Sequence, residues 1–90
     1  MPFYTDKQAE TWLEREARNL PMPDGSTRPL TTFGLVWETA DSLVKDSGYA
    51  LRELIAGALE EEYLQGLSFE EAFTCVVGWL DDRRRKGAGV

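Results

Sequence analysis

The stretch AFTCVVGWL at residues 72–80 is apolar almost all the way around a helix. Glu70 and Glu71 precede it and the basic residues 83–86 follow it, so both ends suit the dipole of one helix. Ser68 and Glu71 also have capping-box spacing, S-x-x-E. The pattern predicts a helix over 69–86 that is either central in the fold or partly in an oligomer interface.

Apolar residues recur at helical spacing in three further segments, which predicts helices over 5–20, 33–46 and 49–65. The segment 21–32 contains a Pro-Asp-Gly-Ser turn and an extended stretch before Pro29. We therefore expect one all-α domain over 1–90. It is a compact bundle of four helices, with an irregular Pro/Gly-containing loop (room for a short strand) between helices one and two, and a frayed tail at 87–90.

The missing residue types exclude several kinds of site. The chain has no histidine and a single cysteine, Cys75, so it lacks the commonest general base and the usual zinc ligands. We expect no metal, no cofactor and no enzymatic activity, since no carboxylate pair stands out from ordinary surface charge. The N-terminus lacks the pattern of a signal peptide and no apolar run approaches roughly 20 residues, which favours a cytoplasmic protein without membrane contact.

The net charge of −6 hides an uneven distribution. Residues 38–82 carry eleven acids and two bases, which excludes a generally basic nucleic-acid binder. Part of this charge lies on the third predicted helix, at Glu53, Glu60, Glu61 and Glu62. Glu60, Glu61 and Glu62 come late in this helix, where acids oppose its dipole. The four acids are either a solvated face or a binding surface for a basic protein. Calcium binding fits poorly, because adjacent glutamates on a helix point in different directions.

Two further groups lie on the fourth predicted helix. Its basic end, which either balances the helix dipole or contacts phosphate, consists of Arg83, Arg84, Arg85 and Lys86. Trp79 lies off the main core face and, with Cys75 and Ala72, is our candidate interface of a homodimer. Because Cys75 lies inside an apolar run, between Thr74 and Val76, and the chain has no histidine to serve as its base, we also expect it to be a buried structural thiol.

Residues 33–64 resemble the ribbon-helix-helix family of small dimeric DNA-binding regulators. The order is Asp41-Ser42-Leu43-Val44, then Ser47-Gly48, then Glu53-Leu54-Ile55 and Ala58-Leu59, with Tyr63-Leu64 at the end. The resemblance implies a dimer and a strand near residues 27–32 that enters the major groove. Arg28 is the only base of that stretch and Pro29 removes a strand N–H, so we transfer the dimeric helical packing more readily than the DNA contact.

Two hypotheses about function follow. In the first, a small acidic non-enzymatic protein binds a basic surface of a partner protein. One form is an inhibitor of the kind that phages and mobile elements encode, which occupies a nucleic-acid-handling site and does not itself bind nucleic acid. In the second, the chain is a dimeric ribbon-helix-helix-type DNA-binding regulator or antitoxin.

Overall fold

The computed structural model describes residues 12–88, which form a β-hairpin followed by three helices. The strands are β1 (Arg15–Pro21) and β2 (Thr27–Phe33), and they pair antiparallel. The helices are α1 (Gly34–Asp46), α2 (Leu51–Gln65) and α3 (Phe69–Ala88). No described helix combines the length and the apolar character needed to cross a bilayer.

The hairpin overturns the prediction of an all-α four-helix bundle. The first predicted helix, 5–20, extends into β1; Trp12 and Leu13 are helical, and residues 5–11 lie outside the described part of the chain. The segment 21–32, predicted as an irregular loop, supplies the turn and most of β2. Leu20 fits both a helical and an alternating pattern, and its pairing with a distant segment decides between them.

A turn at residues 22–26 joins the two strands. The N–H of Met22 donates to the carbonyl of Ser26 at 2.8 Å, and Gly25 adopts a φ of 90° that glycine tolerates. The Asp24 carboxylate accepts the Ser26 N–H at 2.9 Å and the Ser26 hydroxyl at 2.6 Å. These bonds lower the pKa of Asp24 below its ordinary value.

Alternation along the strands gives the hairpin an inner and an outer face. Leu20, Leu30 and Thr32 are buried against the helices, whereas the neighbouring residues on both strands are exposed. The backbone hydrogen bonds from Met22 to Ser26 and from Gly34 to Glu14 lie just beyond the two ends of the β1–β2 ladder. Hydrogen-bonded pairs alternate with non-hydrogen-bonded pairs along an antiparallel ladder, so the even-numbered residues exchange the inter-strand hydrogen bonds. The backbone nitrogen of Pro29 therefore points to the outer edge of β2, where a missing N–H removes no hydrogen bond between β1 and β2.

Helix α3 is the centre of the fold and packs against α1, α2 and β2. Its Phe73 is fully buried, with its ring centroid 5.4 Å from that of Trp37. The other members of the core come from all five elements: Leu20, Leu30, Ala40, Leu43, Leu54, Ile55, Ala58, Phe69, Ala72, Val76, Val77 and Leu80. The three helices begin and end within two residues of the predicted ranges 33–46, 49–65 and 69–86.

Helix α3 has the side-chain cap that its S-x-x-E spacing predicts, whereas α1 has no side-chain cap. Ser68 Oγ accepts the N–H of Glu71 at 3.1 Å and donates to its carboxylate at 3.0 Å, so the hydroxyl caps α3. Gly48 and Gly66, which follow α1 and α2, adopt a positive φ. By contrast, α1 begins after Phe33 without a side-chain cap, since its first N–H, on Gly34, bonds to Glu14 at 2.8 Å.

Candidate functional site

An open groove of about 500 Å³ lies between α2 and α3. Its floor is apolar and its rim is acidic. The floor is formed by Gly57, Val76 and Leu80, with the remaining walls formed by Tyr49, Glu53, Glu60, Glu61, Cys75 and Trp79. Pockets that combine an apolar surface with a few convergent polar groups are the usual places for a bound ligand or peptide.

Gly57 sets how closely the two helices approach. A Cβ atom at this position would lie 3.3 Å from Val76 Cγ1, which is shorter than an ordinary van der Waals contact between carbon atoms. The absence of a side chain on α2 therefore lets Val76 of α3 pack directly on the α2 backbone. This contact fixes the depth of the groove floor.

Three of the four predicted acidic binding residues meet at this groove. Glu53 and Glu60 are exposed and Glu61 is half-buried on its rim. None of these three carboxylates forms an ion pair or a side-chain hydrogen bond with another residue among those described. Their charge is therefore available to a molecule that enters the groove.

Glu62 directly follows Glu61, but its side chain lies about 100° further around α2 and does not line the groove. Its carboxylate binds the guanidinium of Arg28 at 3.0 Å, and the Arg28 guanidinium carbon lies 4.3 Å from the centroid of the Phe69 ring. The Arg28–Glu62 ion pair therefore links β2 to α2, and the Glu62 side chain does not line the groove. The sequence pattern gave no sign of this partner, because Arg28 arrives on a strand that was predicted as a loop.

Trp79 is the large apolar side chain of the groove wall. It is 61% exposed, and the guanidinium carbon of Arg83 lies 5.2 Å from its ring centroid. Cys75, one turn earlier on α3, is exposed, so the prediction of a buried thiol is wrong. The core face of α3 is centred on Phe73 and Val77, and an apolar sequence run does not reveal on which side of that face a residue lies. Ala72, predicted to share the interface, is fully buried in the core.

The four basic side chains at the end of α3 do not converge on one site. Arg84 faces the body of the protein, where it binds Asp81 and donates to Ser42 Oγ at 2.8 Å. Arg85 pairs with Asp81 at 3.0 Å and Lys86 with Asp82 at 2.9 Å, as the i,i+4 spacing predicts. Together with the Arg83–Trp79 contact, these pairs account for all four bases within α3 and its neighbours.

The outer face of the hairpin is a second exposed surface, which the helical prediction for 5–20 missed. Its polar members are Arg15, Asn19, Thr27 and Thr31. Arg15 also binds Glu70 of α3 at 2.6 Å and donates to the carbonyl of Thr31 at 3.2 Å. On the inner side, a hydrogen bond to Asp41 at 2.9 Å raises the pKa of Arg18. The Pro-Asp-Gly-Ser turn at residues 23–26 was the signal in the sequence for a hairpin, whereas residues 15–21 show no regular alternation of polar and apolar side chains.

No group of three or more histidine, cysteine or acidic side chains in residues 12–88 is arranged to hold a metal ion. No protein-family model, curated protein or solved structure matches the sequence or the fold.

Proposed function

We propose that the protein is a non-enzymatic binding protein that holds a basic segment of another protein in the groove between α2 and α3. One observation carries the proposal: Glu53, Glu60 and Glu61 converge on an apolar floor beside the exposed Trp79. A solvated helix face would not place its unpaired carboxylates around an open apolar surface. An exposed tryptophan of this kind is a frequent anchor of protein–protein contacts.

The chemistry of the groove defines the partner. A lysine or arginine side chain is attracted by the rim, and its aliphatic stem or a neighbouring apolar residue covers the floor. Proteins that handle nucleic acid carry such basic surfaces, so we favour a partner of that class, with this protein acting as an inhibitor of phosphate binding. A cytoplasmic location is part of the proposal, because a lone exposed thiol persists most simply where thiols stay reduced.

A defined peptide tests the groove directly. The probe is a fluorescein-labelled helical peptide of lysine and leucine, with the leucines on one face, and its anisotropy reports binding to the full chain. The double variant Glu60→Lys/Glu61→Lys replaces attraction at the rim with repulsion. We expect it to bind the peptide at least tenfold more weakly, about 1.4 kcal/mol.

Glu14→Lys/Asp46→Lys is the matched control, because it changes the net charge by the same amount at residues that do not line the groove. It should keep most of the affinity of the wild type. Equal losses in the two double variants would mean that only the overall charge attracts the peptide, and the groove proposal would then be wrong.

A DNA-binding regulator of the ribbon-helix-helix type is the second candidate function. What supports it is β2 at Thr27–Phe33, which comes immediately before two helices joined by a turn at Gly48. A two-stranded ribbon fits the major groove, and the outer face of this hairpin carries Arg15, Asn19 and Thr31. Arg28, by contrast, contributes to the core-facing side, where it binds Glu62.

DNA binding at low salt tests the second candidate. Full-length protein is titrated into labelled duplexes of mixed sequence, and Arg15→Ala is compared with Arg52→Ala, which removes an exposed base on α2. The regulator hypothesis predicts a mobility shift that Arg15→Ala weakens and Arg52→Ala does not. No shift for the wild-type protein with any duplex would count against it.

A further inference from the structure

We infer that the groove between α2 and α3 binds an arginine of the partner, whose guanidinium stacks on the Trp79 ring in the place that Arg83 occupies in the free protein. The inference rests on the proposed function and names the chemistry of its ligand. Three features of the groove support it. They are an exposed aromatic ring, a guanidinium that already lies against that ring, and an unpaired carboxylate on the opposite wall.

The contact between Arg83 and Trp79 shows that this ring accepts a guanidinium. The guanidinium carbon of Arg83 lies 5.2 Å from the ring centroid, which is within the range of a cation–π contact. The three basic residues that follow Arg83 pair with acids of α3, whereas Arg83 is exposed and forms no ion pair with any residue in 12–88. Because no carboxylate holds Arg83 in place, a second guanidinium can displace it from the ring.

The position of Arg83 on α3 places it on the groove side of Trp79. At about 100° per residue, Arg83 lies about 40° around the helix from Trp79 and about 60° from Leu80, between these two residues. Both Trp79 and Leu80 line the groove. The guanidinium of Arg83 therefore lies where the basic side chain of a segment bound in the groove would meet the ring.

The carboxylate on the opposite wall belongs to Glu53. Helices α2 and α3 are joined by a short connection and pack together at Gly57 and Val76, so they run antiparallel. Glu53 comes one turn before Gly57 and Trp79 comes one turn after Val76, which places Glu53 across the groove from Trp79. A guanidinium between them can stack its plane on the ring and donate its N–H groups to the Glu53 carboxylate.

This combination of a ring and a carboxylate favours arginine over lysine. A guanidinium is planar and weakly hydrated, so it can stack on an aromatic face and still donate hydrogen bonds along its edge. The ammonium of lysine is compact and strongly hydrated, and it gains less from the ring. Glu60 and Glu61 lie about two turns further along α2, roughly 10 Å from Glu53, and attract a second basic residue of either kind.

Two peptides of equal charge test the preference for arginine. The lysine–leucine peptide is compared with the same sequence in which every lysine is replaced by arginine, and anisotropy reports binding to the full chain. We expect the wild type to bind the arginine peptide about threefold more tightly or better, and Trp79→Leu to lose this preference. Tyr63→Leu removes an exposed ring outside the groove and should keep it. Equal affinities in the wild type, or an unchanged preference in Trp79→Leu, would overturn the inference.

Removal of Arg83 tests whether this side chain competes for the ring. Arg83→Gln should bind the arginine peptide about threefold more tightly than the wild type, because the incoming guanidinium has nothing to displace. Lys45→Gln removes the same charge at an exposed position of α1 outside the groove, and it should raise the affinity by less. Equal gains in the two variants would mean that only net charge matters, and the assignment of the Arg83 position to the ligand would then be wrong.

The same titrations distinguish failure of this inference from failure of the proposed function. If the two peptides bind equally and Glu60→Lys/Glu61→Lys still weakens both, only the arginine assignment is wrong. If that double variant weakens neither peptide, the groove does not bind basic segments, and both proposals are refuted.

Discussion

Trp37 joins the hairpin to the helices. Its Nε1–H donates to the carbonyl of Glu16 in β1 at 2.8 Å. The guanidinium carbon of Arg18 lies 4.7 Å from the ring centroid, and the Phe73 ring packs on it at 5.4 Å. One residue of α1 therefore contacts β1 and α3 at once, so its substitution should weaken the whole fold.

Trp37→Phe should lower the free energy of unfolding by about 0.5–1.5 kcal/mol, since the hydrogen bond from Trp37 to the Glu16 carbonyl is lost. Trp37→Ala should cost roughly 3–5 kcal/mol, because it also leaves a cavity. Urea denaturation followed by circular dichroism measures both values. Trp79→Phe is the control, and as an exposed substitution it should change stability by less than about 0.5 kcal/mol. Similar effects at positions 37 and 79 would show that Trp37 does not hold the hairpin.

Asp24 gives the turn a pH dependence of defined sign. The Ser26 hydrogen bonds lower the pKa of Asp24, so the folded state favours the carboxylate. Its contribution to stability is complete above the ordinary pKa, about 3.9, and disappears as the pH falls through the lowered value. The stability difference between wild type and Asp24→Asn should therefore shrink as the pH falls from about 5 to 2. A constant difference across this range would contradict the assignment.

At the scale of elements, Gly57 in the middle of α2 and Gly78 in the middle of α3 predict opposite responses to alanine. Gly78→Ala should raise stability by about 0.5–1 kcal/mol, since no atom opposes the new methyl group. Gly57→Ala gains the same helix propensity but forces Val76 away from a 3.3 Å contact, so the gain should be absent or reversed. Thermal unfolding at low micromolar concentration separates the two. Equal stabilisation would mean that α2 and α3 are not in close contact at Gly57.

The helices were predictable from local sequence and the hairpin was not. The Ser68–Glu71 cap and the Asp81–Arg85 and Asp82–Lys86 pairs depend on residues three or four apart, which the sequence displays directly. The pairing of β1 with β2 depends on residues up to 18 apart in the register from Arg15 to Phe33. Local periodicity favoured a helix over 5–20, and only tertiary packing of Leu20 and Leu30 selects the strand.

At the scale of the whole molecule, the site was predictable in its charge but not in its shape. The acids of α2 and the off-core position of Trp79 could be identified from the helical pattern, and Glu53, Glu60 and Glu61 do line one groove with Trp79. The groove between them depends on the approach of α3 at Gly57, which no spacing rule reveals. Glu62 pairs with Arg28 and does not line the groove, and this likewise follows from the position of β2.

The uneven charge of the molecule also predicts that the affinity for a basic peptide depends on the salt concentration. Because the rim carboxylates are exposed or half-buried, their attraction for a basic segment should be screened as the salt concentration rises. Peptide affinity should therefore fall several-fold between about 0.05 M and 0.5 M salt, with a smaller fall for Glu60→Lys/Glu61→Lys. An affinity independent of salt would assign the binding to the apolar floor alone.

The most direct test of the acidic groove is a charge exchange across the complex. The lysine–leucine peptide and a matched glutamate–leucine peptide are each titrated against wild type and Glu60→Lys/Glu61→Lys, with anisotropy as the readout. We predict that the wild type prefers the lysine peptide and that the variant shifts its preference towards the glutamate peptide by tenfold or more, about 1.4 kcal/mol. An unchanged preference in the variant would contradict the claim that these two residues form the binding site.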